Sequence, residues 1–262
     1  MPTACTGQST PVRWVFAIIL AVAALLRLPA LEEVPPPLNQ DEISRGYDAW
    51  AILETGADRH GQRWPLFLES FGMGDFTAAL TTYITVPFIA VLGPTALALR
   101  LPDALLGVLT VWILYLWLKR QAGVRTALIA AAVFALDPWH IALCRTAHES
   151  GFAPFFLALA LLALHRAGLL PRDEPNAIGQ SPEPHAGAWA LLSGMMLGAH
   201  AWVYPATRLF TPLFAIAILV IYRRHYAGLL RVGAGRITLE CLVVGLLIGG
   251  FPLISTAITH PE

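Results

Sequence analysis

Long apolar blocks separated by short polar intervals set the pattern of this chain. Arg13 precedes an apolar run over Trp14–Leu26 that continues past Arg27 to Leu31. That is about one membrane crossing, because a helix rising 1.5 Å per residue needs roughly 20 apolar residues to span the hydrocarbon core. Arg27, near the far end, is placed to snorkel to the interface. Glu32, Glu33 and the Pro35-Pro36-Pro37 run end the helix, since proline removes a backbone donor and blocks the preceding turn. Further apolar blocks predict crossings at about 101–118, 124–143, 151–169, 187–203, 205–222 and 237–257. Their links are short: Lys119–Gly123, a polar hinge over 144–150, a Pro/Glu-rich loop over 170–186, and Arg223–Arg236. Residues 1–12 read as a polar tail.

The long interval over 32–99 breaks this rhythm. Asn39 is a reasonable N-cap, which puts Asp41 and Glu42 in the first turn of a short helix running to about Leu53. Gly56, Gly61 and Pro65 then predict loops carrying Trp64, Phe67 and Phe71, side chains suited to a membrane–water interface. The block 78–93, AALTTYITVPFIAVLG, is ambiguous, with 16 residues that include Thr81, Thr82, Tyr83 and Pro87.

Composition excludes a soluble domain. Of 262 residues, 56% are apolar and 13% charged, and the mean hydropathy is +0.63. The zero net charge gives no footprint for nucleic acid. Cys5, Cys144 and Cys241 are odd in number and far apart, which suggests neither a disulfide framework nor a metal cluster. No A-x-A-like cleavage site follows the first apolar run, so it reads as a retained anchor.

Charge placement decides the ambiguous block. With a cytoplasmic N-terminus and 78–93 not crossing, ten of the 17 basic residues face the cytoplasm and seven face out. If the block crosses, the balance reverses to four inside and thirteen outside. The positive-inside bias favours the first arrangement. The expectation is therefore an all-α polytopic membrane protein of about seven transmembrane helices, with interfacial or re-entrant helices in its first outer loop. It sits in the plasma membrane, and 13–262 form one transmembrane domain.

That arrangement brings the Asp41 loop, the Asp137–Glu149 hinge and the Tyr204–Arg208 turn to one outer face. Ionisable groups at membrane depth are costly and usually face a cavity or a partner. Carboxylate plus arginine beside lipid suits chemistry on a phosphorylated lipid: the acid takes a proton from an acceptor hydroxyl and the arginine holds the departing phosphate. Each residue also has a plainer role. Asp41 and Arg45, four apart, would form a helix-surface pair, and Arg100 and Asp103 a local pair at a helix entrance. Glu149 and His148 would cap the helix starting near Gly151, and Arg145 would snorkel or pair with Asp137. Tyr204 and Trp202 are as well placed for an aromatic belt as for substrate. Arg208 is harder to dismiss, because a lone arginine just inside a span wants an anion. Asp41, Glu42 and Glu149 could hold a divalent cation through oxygen ligands, but no Asp-x-Asp pair appears and arginine can supply the positive charge. No bound cofactor is expected.

At these residues the sequence resembles a known family. LNQDEISRGYDAWAILETGADRHGQRWPLFLESFG, then GPTALALRLPDALLGVLTVWILYLWLKR, look like the N-terminal half of bacterial GT-C glycosyltransferases. These are the dolichyl-phosphate-mannose–protein mannosyltransferase-like group, related to the aminoarabinose transferases. DPWHIALCRTAHES, AHAWVYPATRLFTPL and the terminal THPE fall where that group has its second outer loop, its Tyr-x-x-x-Arg turn and its His-Pro element. The resemblance implies an extracytoplasmic active site fed by a polyprenyl-phosphate-linked sugar, with a protein, lipid or glycan acceptor. It implies Asp41 as general base with Glu42 beside it, Glu149 as a second-loop acid, and Arg208 near the donor phosphate. Arg100 matches the arginine ending the first loop, and Tyr204, Arg145 and His148 are further substrate-binding candidates. It also implies more spans and an outer domain beyond Glu262. A lipid or solute transporter and a non-catalytic membrane scaffold are the alternatives, although no internal repeat points to a transporter.

Overall fold

The apolar runs fold as helices. The computed structural model describes residues 10–70, 75–171 and 185–259. Most of the tail over 1–12, Phe71, most of the 170–186 loop and the terminal His260-Pro261 lie outside the described residues. In order come α1 (Thr10–Arg27), α2 (Gln40–Thr55), α3 (Ala79–Leu92), α4 (Ala96–Gln121), α5 (Val124–Ala135) and α6 (Pro138–Arg145). A 3-10 turn over Glu149–Phe152 leads into α7 (Ala153–Arg166). Then follow α8 (Ala186–Val203), α9 (Pro205–Ile221), α10 (Arg223–Leu230), α11 (Gly233–Gly249) and α12 (Phe251–Thr259).

α4 is the hub, touching α1, α3, α5, α6 and α7, while α8 lies between α7 and α11. The α8–α11 seam is built on glycines. A Cβ at Gly194 or Gly198 would fall on the backbone of α11 or Gly250, and one at Gly245 or Gly249 on that of α8. Small residues let two helices approach at backbone distance, which is how helices associate where water gives no hydrophobic drive.

The structure departs from the sequence expectation at several places. The run 124–143 is not one helix: α5 and α6 bend by 54° at Leu136-Asp137. Pro138 lacks the donor a continuous helix needs. The Asp137 carboxylate instead accepts from the backbone N–H of Trp139 and of His140, both at 3.3 Å, and starts a new helix. Asp137 is thus a cap, not a partner for Arg145. The 56–77 segment is not only loop, because Phe67–Ser70 and Asp75–Ala78 pair antiparallel with Phe67 opposite Ala78.

Arg27 does not snorkel. Its side chain is fully buried, and its guanidinium donates to the carbonyls of Ala135 (2.8 Å) and Phe134 (3.1 Å) at the end of α5. These are carbonyls that a helix terminus leaves without intrahelical partners. The ambiguous block is a 14-residue helix, α3, about 21 Å long and short of the roughly 30 Å hydrocarbon core. By length and composition, one described helix, α4, suffices to cross a membrane alone. The α5–α6 and α9–α10 pairs pass that test only when taken together as bent spans.

Candidate functional site

α2 begins with a capping box. The Asn39 side chain accepts from the Glu42 backbone N–H at 2.9 Å, and Glu42 Oε2 accepts in return from the Asn39 N–H at 2.9 Å. This fixes the first turn and with it the two adjacent acids, whose environments are opposite. Glu42 is buried and Asp41 exposed. Residues one apart on a helix point about 100° apart, so one reaches the core and the other the open face.

Glu42 is fully engaged. Arg100 donates from Nε to Glu42 Oε1 at 2.6 Å and from Nη2 to Oε2 at 3.0 Å, the two-pronged geometry that arginine offers a carboxylate. Arg100 Nη1 reaches the carbonyls of Leu31 (2.8 Å) and Pro35 (2.9 Å), tying the end of the first apolar run to α4. One turn along, Arg45 pairs with Asp103 at 2.7 Å, again with both side chains buried. Neither local pair expected from spacing forms: Arg45 takes Asp103 in place of Asp41, and Arg100 takes Glu42 in place of Asp103. Asp41 has no ion-pair partner among the described residues.

The second loop arrives through α6. Arg145 donates to the carbonyls of Arg27 (3.3 Å), Pro29 (3.0 Å) and Val34 (2.9 Å), closing the far end of α1. Ala147 then adopts a left-handed backbone, with φ at 47°, which turns the chain sharply before His148. His148 caps the 3-10 turn, and Glu149 sits half-buried in its first position. The His148 ring stands edge-on to Tyr204 at 5.9 Å. Burial holds the His148 imidazole below its ordinary value, and the facing Asp41 carboxylate opposes that shift while Arg45 adds to it. Asp41, Arg45, His148 and Tyr204 therefore converge from three separate segments of the chain.

Tyr204 sits at the junction of α8 and α9, and Arg208 lies one helical turn beyond it. Arg208 is exposed, has no ion pair among the described residues, and lies over the Phe67 ring with its guanidinium carbon 5.3 Å from the centroid. Phe67 in turn meets Trp202 edge-on at 6.3 Å. An arginine stacked on a ring keeps its donors pointing outward for an anion. Sequence reasoning missed this support, although Gly72 and Gly74 between the two strands are a hairpin signal that could have found it. His200, by contrast, is satisfied internally by Thr211 Oγ1 at 2.7 Å. Among the described residues no three His, Cys, Asp or Glu side chains gather in a metal-holding set.

Comparison with known proteins follows the same outline. Residues 77–175 match the model of the dolichyl-phosphate-mannose-protein mannosyltransferase family. YycA of Bacillus subtilis (strain 168), named for an inferred mannosyltransferase activity, is 30% identical over 132 residues. That match covers 49% of this chain and 19% of YycA. ArnT of Cupriavidus metallidurans, solved with undecaprenyl phosphate, superposes with a TM-score of 0.59 at 16% identity, covering 99% of this chain and 43% of ArnT. The Archaeoglobus fulgidus oligosaccharyltransferase tethered to an acceptor peptide gives a TM-score of 0.64 at 17% identity, covering 97% of this chain and 31% of the enzyme.

The chain shares the fold of ArnT and of the archaeal oligosaccharyltransferase. Its likeness is one of sequence to the mannosyltransferase family over 77–175 and of fold to ArnT over nearly the whole chain. The chain spans less than half the length of the relatives it matches.

Proposed function

We propose that the chain is the membrane core of a glycosyltransferase that takes its sugar from a polyprenyl-phosphate donor. The observation carrying this reading is the split between the two adjacent acids. Glu42 is locked into the scaffold, whereas Asp41 is exposed and within electrostatic reach of His148. His148 meets Tyr204, and one helical turn beyond Tyr204 lies Arg208, which no carboxylate neutralises among the described residues. Asp41 accepts the proton of an acceptor hydroxyl as its oxygen bonds to the anomeric carbon. The bond from that carbon to the phosphate oxygen breaks, and its electron pair leaves with the phosphate. Arg208 meets the charge that develops there. Arginine charge is what this proposal asks for at the phosphate, and it assigns no bound cofactor. The solved relatives named for undecaprenyl phosphate and for an acceptor peptide support a lipid-linked donor and a polar acceptor as a class.

The same reading takes about seven crossings, with 32–99 as an extracytoplasmic loop and α3 lying in the interface. The positive-inside bias supports this side for the site.

The test is binding of undecaprenyl phosphate to the detergent-solubilised protein. Arg208→Ala should weaken it about tenfold or more, because a charged hydrogen bond contributes roughly 1.5–3 kcal/mol. Equal affinity in wild type and Arg208→Ala removes Arg208 from the donor site.

A further inference from the structure

His148 is oriented by hydrogen bonds that also decide where its proton sits. Its Nδ1 lies 3.2 Å from the backbone N–H of Ser150 and 2.8 Å from the Ser150 hydroxyl. A backbone N–H can only donate, so Nδ1 must be the bare, accepting nitrogen. The neutral ring then carries its proton on Nε2. The histidine backbone is held as firmly: its N–H donates to Leu143 O at 3.2 Å, and its carbonyl accepts from Gly151 at 2.8 Å. With Nδ1 occupied by the cap, Nε2–H is the polar atom the ring has left to offer. The ring meets Tyr204 edge-on at the α8–α9 junction, and the charges of Asp41 and Arg45 on α2 reach it.

We propose that His148 is a substrate-binding residue whose fixed Nε2–H donates to a substrate oxygen, a sugar or acceptor hydroxyl, held beside Asp41. The proposal rests on the glycosyl-transfer reading above. It gives His148 a task that complements the base: Asp41 accepts from the hydroxyl it activates, while His148 donates to an oxygen of the same ligand. The two groups thereby fix the hydroxyl's direction as well as its distance. Positioning of that kind matters because reacting atoms misplaced by about 1 Å cost a large part of the rate.

Two variants separate the donor from the cap. In His148→Asn, Oδ1 can take the place of Nδ1 as an excellent helix cap, but the donor toward Asp41 is gone. In His148→Gln the longer side chain restores an N–H reaching toward Asp41. The imidazole tautomer is read by 15N NMR on the purified protein, and turnover with undecaprenyl-phosphate-linked mannose. The expected result is an Nε2–H tautomer in wild type. His148→Asn should melt at the wild-type temperature with turnover down roughly tenfold or more, and His148→Gln should recover part of it. Wild-type turnover in His148→Asn shows a cap only and overturns the proposal. An Nδ1–H tautomer in a wild type that does transfer sugar overturns it alone. A wild type with the Nε2–H tautomer that transfers from no polyprenyl-phosphate sugar instead overturns the glycosyl-transfer reading, and this proposal with it.

Discussion

At the scale of single residues, two neighbouring carboxylates divide the work. Glu42 and Arg100 are each about 1% exposed and share two hydrogen bonds. Removing one partner of such a buried pair leaves an uncompensated charge, at a cost of about 3–5 kcal/mol. Arg100→Met should destabilise more than Glu42→Gln, because it also releases the carbonyls of Leu31 and Pro35. Thermal melts of the detergent-solubilised single and double variants should show strong coupling between the two positions. A Glu42→Gln protein with unchanged stability but no activity would mean that Glu42 acts in chemistry and not in the scaffold. The charges that form these pairs were legible in the sequence; their partners were not. Glu42 and Arg45 are three apart on α2, with Arg100 and Asp103 three apart in the reverse order on α4. That mirrored pattern is satisfied between helices, with each pair 58 residues apart. Local spacing favours pairs within a helix. Burial of one face of α2 against α4 overrides it.

At the scale of elements, hydropathy located the longer apolar helices, because apolar length is what a crossing requires. Yet it read α10 as part of the Arg223–Arg236 link and α11 with α12 as one crossing. It failed where a break depends on one cap. The α5–α6 bend turns on Asp137 and Pro138, which sit inside an otherwise apolar run. The hairpin escaped notice because its strands are only four residues each. α2 shows a further limit of periodicity, since the pattern marks two faces without saying which is covered. Its charged side chains Glu42, Arg45 and Asp48 are buried, while Ile43, Tyr47 and Trp50 face outward. An outward apolar face of this kind suits a membrane–water interface. The α8–α11 seam makes a sharper prediction. Gly198→Leu should push the helices apart, since the new side chain meets the backbone of Gly249 and Gly250. The expected loss is several degrees in the melting temperature, whereas Gly228→Ala, with open space around it, should change little. An unaltered melt for Gly198→Leu would show that the seam does not depend on close approach.

At the scale of the whole molecule, the fold draws polar residues from distant segments toward His148, with Arg208 one turn beyond Tyr204. α2 brings Asp41 and Arg45, the turn after α6 brings His148, and the α8–α9 junction brings Tyr204 with Arg208 one turn on. Each segment is held by contacts that have no chemistry of their own: the capping box, the Arg145 clamp on α1, and Phe67 beneath Arg208. The sequence named most of these residues but could not show which were spent on structure. Arg145 is an example, since its donors end on backbone carbonyls that follow α1. The claim that remains central is that Asp41 alone of the neighbouring pair does chemistry. The most direct measurement is sugar transfer by purified wild type and Asp41→Asn from a radiolabelled undecaprenyl-phosphate sugar, with donor binding measured alongside. The account predicts equal binding, an unchanged melt and transfer lowered by roughly 100-fold or more in the variant, as loss of a general base requires. Transfer at the wild-type rate by Asp41→Asn would contradict it.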